Sequence, residues 1–435
     1  MNTLQSRVWD EIDRNPDRVV ALTQEMVRIP SVNPKFESHQ GLNNEAGVAR
    51  LLEARLSVGG FETTRWEVMP TRPNLIATLP GSEERSLILC GHMDTVPVGN
   101  RANWNVDPFG AEIRDGRLYG RGAVDMKAGL AACVAAAEAI RAAGITLDGR
   151  LSIHAVVDEE AGGFGALDAV KKGHLAKRAI IAEPTWAKVV PAEGGLEWVR
   201  VTIIGRSGHA GMRYNDIFPQ PHGPNRLTPA INAIEISTRF LYALKEFEAS
   251  RCRNQYHPLC PPGLSTINPG VIHGGVGIGE DGLPLIRTNP AMTPDRVVID
   301  FDLKFLPNEN SAAVRAEFEA FVKAFCDLDP WTRDHPIEIL WELFGLHFPP
   351  MDTPVSDPLV QSLIAHHTTL AGMPEVRGFD AVTDAAHYAG AGVIPCMYGP
   401  SGDGFHGDNE YVDIESLHRT TKVIAAAILD ICGTR

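Results

Sequence analysis

Four short apolar runs in the first 190 residues each lead to an acid or a histidine, and this punctuation restricts the folds open to the chain more than any other feature. Residues 87–90 run into Gly91-His92-Met93-Asp94, and Leu118-Tyr119 leads through Gly120-Arg121-Gly122 to Asp125. Residues 151–157 run into Asp158-Glu159-Glu160, and residues 179–182 into Glu183. Helical patterns separate the runs, the alternation expected of an α/β domain built on a mainly parallel sheet. In such a sheet the carboxyl ends of the strands line one crevice, so polar residues stranded there converge. Between these runs, residues 127–143 read as an alanine-rich helix stopped by Gly144.

The pattern changes near residue 194. Residues 196–204 read as a strand, and Thr228-Pro229 then opens a helix to about residue 247, with Thr at the N-cap and Pro at the first helical position. A strand at 264–272 follows. Residues 297–305 alternate, with Ile299, Phe301, Leu303 and Phe305 on one face and Asp300, Asp302 and Lys304 on the other. Residues 311–325 form a helical pattern with apolar Val314, Phe318, Phe321, Val322 and Phe325, and a last strand lies near 337–343. The order βαββαβ is the ferredoxin-like arrangement, here inserted as residues 194–350. After Pro349-Pro350 the first style resumes: a helix at 359–370, an apolar run at 392–398, then His406-Gly407, Glu410-Tyr411-Val412 and a final helix at 414–431. Residues 1–193 and 351–435 are therefore read as one domain, whose last segment rejoins the first sheet. The irregular stretch 206–227 is long enough to be a functional loop, and it offers Arg213, Tyr214 and His222.

Composition narrows the function classes. With 435 residues, 44% hydrophobic and 22% charged, the chain matches ordinary soluble globular proteins. Its 40 Lys+Arg against 54 Asp+Glu give a formal net charge of -14, which provides no basic field for nucleic acid or an anionic membrane. No window approaches the roughly 18 consecutive apolar residues of a membrane span. The N-terminal MNTLQSRVWDEIDRNPD lacks an apolar leader. Seven scattered cysteines without a CxxC pair argue against a disulfide framework and a thiolate zinc site, so reduced thiols in the cytoplasm are expected.

The strand-end residues define a candidate metal site. His92 and His406 with Asp125, Glu160 and Glu183 supply five ligands, more than one catalytic zinc needs. Two divalent ions sharing a carboxylate would use them all. Glu159, beside Glu160 but not a ligand, then suits a general base. Asp94, two residues beyond His92, is placed to accept the other ring N–H of that histidine. Each piece alone has a plainer reading: Asp125 as the cap of the helix after it, Glu159-Glu160 as a solvated turn. Their recurrence at successive strand ends favours chemistry.

Gly91-His92-Met93-Asp94-Thr95-Val96-Pro97, Gly120-Arg121-Gly122 with Asp125-Met126-Lys127-Ala128-Gly129, Asp158-Glu159-Glu160, Glu183-Pro184 and Gly205-Arg206-Ser207-Gly208-His209 together resemble the metallopeptidase family of acetylornithine deacetylase, succinyl-diaminopimelate desuccinylase, aminoacylase and carboxypeptidase G. The resemblance covers nearly the whole chain. It implies a lid and dimerisation role for the insert, a homodimer, and two divalent ions, zinc first with cobalt or manganese as substitutes. It further implies Asp125 bridging, His92 and Glu183 on one ion, Glu160 and His406 on the other, Glu159 as acid/base, Asp94 as orienter and His209 as oxyanion donor. Lys304 stands where many members carry a carboxylate-binding arginine, and Asn289 loosely matches their Asn-x-x-Pro. The implied activity is removal of an acyl group from an N-acyl amino acid or similar small amide, most like the acetylornithine deacetylase branch. A dipeptidase or carboxypeptidase is the alternative within the same chemistry, and a non-catalytic binding module the alternative outside it.

Overall fold

The computed structural model describes residues 3–39, 41–218 and 228–435. The chain divides into two compact units, one made of Met1–Glu193 with Met351–Arg435 and the other of Gly194–Pro350.

Among the described residues, the first unit holds a mixed nine-stranded sheet. Its order is Glu62–Met69, Arg72–Leu79, Gly149–Val156, Ser82–His92, Arg178–Ile181, Ile394–Met397, Val189–Glu193 and Met351–Asp352, with Val376–Phe379 also on Val189–Glu193. Four central strands are parallel: Gly149–Val156, Ser82–His92, Arg178–Ile181 and Ile394–Met397. Parallel pairing recurs where Val376–Phe379 joins Val189–Glu193, whereas Arg72–Leu79, Glu62–Met69 and Met351–Asp352 pair antiparallel, so the sheet is parallel at its centre and mixed at its flanks. The returning segment does rejoin the sheet, through Ile394–Met397. In the register His92 lies opposite Val156 and Cys90 opposite Ile181, so these carboxyl ends are level. Level strand ends bring the residues that follow them to one edge.

Leu118-Tyr119 does not belong to this sheet. Arg117–Tyr119 sits in a separate antiparallel sheet with Glu112–Arg114, Tyr411–Asp413 and Gly402–Asp403. The strands are two or three residues long, too short for periodicity to reveal their partner. Their effect is to set the chain at 120–125 beside the turn at 404–410.

The helix Ala128–Ala142 is buried along most of its length, with Gly144 at φ 68° just past its end. Gly129 lets it approach the strand ends: a Cβ there would stand 1.9 Å from the Ala182 carbonyl oxygen. Alanines elsewhere on the helix extend this close contact, which seats the start of the helix next to Glu183.

The second unit has its own core, built on Val199, Val201, Phe240, Phe301, Phe305 and Phe318. Its sheet runs Ile267–Gly275, Arg296–Phe305, Gly195–Ile204, Glu338–Leu340, all antiparallel neighbours, with helices Ala233–Asn254 and Ser311–Asp327 completing the βαββαβ sequence. Val314, Phe318 and Val322 of the second helix are buried, as the period of 3.6 requires. The first helix starts later than Thr228-Pro229. Asn232 is its cap, its Oδ1 accepting from the N–H of Ile234 at 2.9 Å and Glu235 at 3.4 Å. The cap is set by which side chain meets the free N–H groups, and Asn232 stands at the turn where Ile231 already pairs with Arg206. The two connections between the units lie side by side, since Met351 pairs with Glu193.

No helix among the described residues is long and apolar enough to cross a membrane.

Candidate active site

The level strand ends deliver His92, Asp94, Glu159, Glu160 and Glu183 from the central sheet. Asp125 and His406 come from the loop and turn that the small sheet holds together. The carboxylate of Asp125 lies between the two histidines: Oδ1 is 3.2 Å from His92 Nε2, and Oδ2 is 3.3 Å from His406 Nε2. His406 Nε2 is also 2.9 Å from Glu160 Oε2. One ligand atom each from His92, Asp125 and Glu160 lies within 4.8 Å of the others. Glu159 Oε2 is 4.0 Å from His92 Nε2.

Four carboxylates face two imidazoles here, and burial works against their charges. Burial pushes Glu160 up to about 7, helped by the charge of Asp125 and opposed by His406. Glu159 and Glu183 are likewise pushed well above the carboxylate range, first by burial and next by neighbouring charges. His406 is raised to about 10 by its hydrogen bonds to Asp125 and Glu160. Glu160 Oε1 and Glu183 Oε1 are buried without a hydrogen-bond partner among the described residues. Buried acceptors without donors are costly unless a cation completes them, and nitrogen and oxygen donors of this kind suit hard or borderline divalent ions. The residues present fit such ions.

Asp94 is buried beside His92, but its carboxylate is not the nearest partner of the ring. The near partner of His92 Nδ1 is the backbone carbonyl of Asp94, at 2.9 Å, while its carboxylate Oδ1 is 3.7 Å away. That carboxylate is taken up elsewhere. It accepts from the backbone N–H of Glu159 at 3.2 Å, that of Glu160 at 3.3 Å, and Asn33 Nδ2 at 2.8 Å. Because the turn 159–161 folds back onto Asp94, its free N–H groups capture the acid before the imidazole can. Asp94 therefore orients the Glu159-Glu160 turn through its side chain and His92 through its main chain.

A second layer of buried charge supports the same turn. Asp158, in the left-handed region at φ 68°, accepts from Asn33 Nδ2 at 3.0 Å, Arg72 Nη1 at 2.7 Å and Lys35 Nζ at 2.6 Å. Arg72 also grips Glu45 at 2.5 and 2.8 Å. Sequence reasoning missed Asn33, Glu45 and Arg72, whose only signal is their pairing across long separations. It also missed Asp384, buried with both carboxylate oxygens lacking a partner among the described residues and pushed up to about 7 by burial. Its charge acts on Glu159 and Glu183, which places it in the same electrostatic neighbourhood.

The other three singled-out residues belong to the second unit. His209 is exposed and caps the turn Ala210–Met212, its Nδ1 accepting from Gly211 N at 3.0 Å. It is brought beside the Asn289 turn, since Ala210 N donates to Ala291 O at 2.9 Å and Thr293 N to Gly208 O at 2.8 Å. Asn289 Oδ1 is engaged in its own turn, accepting from Ala291 N at 3.0 Å. Lys304 is half-buried on the polar face of its strand, where Arg200 holds Asp300 and Trp198 Nε1 donates to Asp302. Within the long loop, Arg213 pairs with Glu235, Tyr214 is exposed, and His222 lies outside the described residues.

The family described as Peptidase family M20/M25/M40 matches residues 88–430. The chain is 30% identical over 437 residues, 98% of this chain and 96% of the relative, to an N-formyl-4-amino-5-aminomethyl-2-methylpyrimidine deformylase of Halalkalibacterium halodurans. It is 28% identical to a succinyl-diaminopimelate desuccinylase of Stenotrophomonas maltophilia, covering 92% of this chain and 95% of the relative. Among solved structures, aminopeptidase PepT from Bacillus cereus shares the fold, with a TM-score of 0.69 at 22% identity over 96% of this chain and 99% of that one.

Proposed function

Since the chain belongs to peptidase family M20/M25/M40 and is a metal-dependent hydrolase of C–N bonds, we propose that it removes a short acyl group from a small amide, with an N-formyl aminomethylpyrimidine as the first substrate to test. The observation that carries this reading is the Asp125 carboxylate set between His92 and His406 at 3.2 and 3.3 Å, beside the nearly buried Glu159. In this reading Asp125 would serve both ions, with His92 and Glu183 completing the donors for one and Glu160 and His406 those for the other. Zinc is the ion we favour, with cobalt or manganese able to replace it. Such ions would lower the pKa of water to about 7 and polarise the amide carbonyl.

The protein's own groups do the rest. Glu159 takes a proton from water as its oxygen bonds to the carbonyl carbon, then returns that proton to nitrogen as the C–N bond breaks, giving an acid and an amine. His209 Nδ1 accepts from Gly211, which leaves the ring proton on Nε2, the donor form an oxyanion needs. Lys304 would supply a positive charge for those substrates that carry a carboxylate, such as the N-acyl amino acids, without the fork of an arginine, and Asn289 a polar contact next to His209. We assign the segment 194–350 as a lid and dimerisation domain, the protein as a cytoplasmic homodimer, and its partner as the small amide alone.

The full-length similarity to a deformylase favours a short acyl group over a peptide bond. Metal-reconstituted protein is assayed on N-formyl aminomethylpyrimidine, N-acetyl and N-succinyl amino acids and dipeptides, with Glu159→Ala as control. Turnover concentrated on an acyl amide is expected. Turnover concentrated on dipeptides would replace this reading with the peptidase one, two bound ions without turnover would move the substrate outside this panel, and no turnover without bound ions would leave a binding module.

A further inference from the structure

Asp125 and His406 lie far apart in sequence, and one buried ion pair holds the main chain beside both. Glu410 is fully buried. Its Oε1 accepts from Val124 N–H at 2.9 Å and Asp125 N–H at 3.0 Å; its Oε2 accepts from Gly122 N–H at 2.9 Å and Arg121 Nη1 at 2.7 Å. Its carbonyl also accepts from Gly120 N–H at 2.9 Å. Arg121, 2% exposed, sends its other arm to the carbonyl of Gly407 at 2.7 Å, the residue after His406.

His406 needs this support. Its side chain is 58% exposed and its φ is 57°, a region that residues with a β-carbon rarely adopt, so packing does not lock the ring. Elsewhere in the turn, Asn409 donates to Asn103 O at 3.0 Å and accepts from Asn105 N at 2.7 Å. These contacts hold the far side of the turn, whereas Arg121 holds the peptide next to His406.

We propose that Arg121 and Glu410 form a positioning pair that sets the Asp125–His406 separation, and so the affinity for the ion that His406 would hold. This rests on the ligand assignment above. Neither side chain touches the reacting atoms; both act through peptide groups. A buried ion pair adds little net stability over an apolar pair of the same shape, so what this one supplies is geometry.

The test uses full-length Arg121→Lys and Glu410→Gln. Lysine keeps a cation beside Glu410 but loses the fork that reaches Gly407, and glutamine keeps the shape of Glu410 without its charge. Cobalt and zinc are titrated by calorimetry, the visible spectrum of the cobalt form is recorded, and kcat and KM are measured. Both variants are expected to bind one equivalent like wild type and the second about 10–100-fold more weakly, the usual effect of removing a group that orients a ligand. The cobalt band should shift, and kcat should fall with KM little changed. Two equivalents bound with wild-type affinity and an unshifted band in both variants would overturn the proposal, whatever the melting temperature. If Glu410→Gln does not fold, Arg121→Lys decides alone. His406→Ala is measured alongside. If it still binds both ions like wild type, the ligand assignment fails; if it loses one while the other variants lose none, only the positioning pair fails.

Discussion

Truncating Asp94 to alanine separates two accounts of how this site is organised. If the Asp94 carboxylate fixed the His92 ring, Asp94→Ala would weaken metal binding about 10–100-fold. The structure leads to a different expectation, because the contact to His92 Nδ1 is made by the Asp94 carbonyl, which the substitution keeps. What disappears is the acceptor for Glu159 N–H, Glu160 N–H and Asn33 Nδ2. At about 1 kcal/mol for each buried donor left without an acceptor, the loss is roughly 3 kcal/mol of stability. The turn carrying Glu159 is no longer held, and a displacement near 1 Å costs about 100-fold in kcat. Denaturant unfolding, isothermal metal titration and steady-state kinetics on the same preparations check all three quantities. The ion that Glu160 would hold should bind about 10–100-fold more weakly, the ion on the His92 side should change less than tenfold, and kcat should fall about 100-fold or more. Loss of the ion on the His92 side, with kcat of the fully loaded protein near wild type, would refute this reasoning.

Other outcomes follow from the same contacts. Glu159→Gln should lower kcat by about 100-fold or more while elemental analysis still finds two ions per chain. Arg72→Met strands the buried carboxylate of Glu45 and takes one of three donors from Asp158, so denaturant unfolding should show a loss of about 3–5 kcal/mol. Burial raises Glu193 to about 8 from an unfolded value near 4.5, its hydrogen bond to Thr383 notwithstanding, so folding favours its protonated form. The sign follows: this contribution is complete below about pH 4.5 and is lost as the pH rises through about 8. Glu193→Gln, which cannot ionise, should therefore gain stability relative to wild type between pH 5 and 8, and parallel stability curves would contradict it.

How much of this was legible in the sequence depends on range. Residues 151–157 and 179–182 announced strands because each run is apolar and ends at a charge, and the acids that follow do meet. Leu118-Tyr119 was visible as a short apolar run leading to Asp125, but so few residues carry no sheet address. Spacing placed Asp94 beside His92, but it cannot show that the carbonyl of Asp94 lies nearer the ring than its carboxylate. Arg72 with Glu45, and Arg121 with Glu410, were invisible for a simpler reason. Buried ion pairs carry no periodicity, and their partners are fixed only once the sheets have formed. Asn232 outcompeted Thr228 as a helix cap because the antiparallel bridge of Ile231 with Arg206 fixes where the free N–H groups emerge.

The antiparallel pairing of Met351 with Glu193 gives the gene for this enzyme an unusual editing point. Partners in such a pair have Cα atoms about 5 Å apart, a gap that one or two glycines bridge. A short linker across this pair would therefore rejoin the ends if residues 194–350 were cut out. The separate hydrophobic cores mean that each half keeps its own reason to fold. The shortened protein would retain every candidate metal ligand and give up His209, Asn289 and Lys304 together, so a metal-loaded but inactive remnant would be the signature of two modules that evolution joined at a single seam.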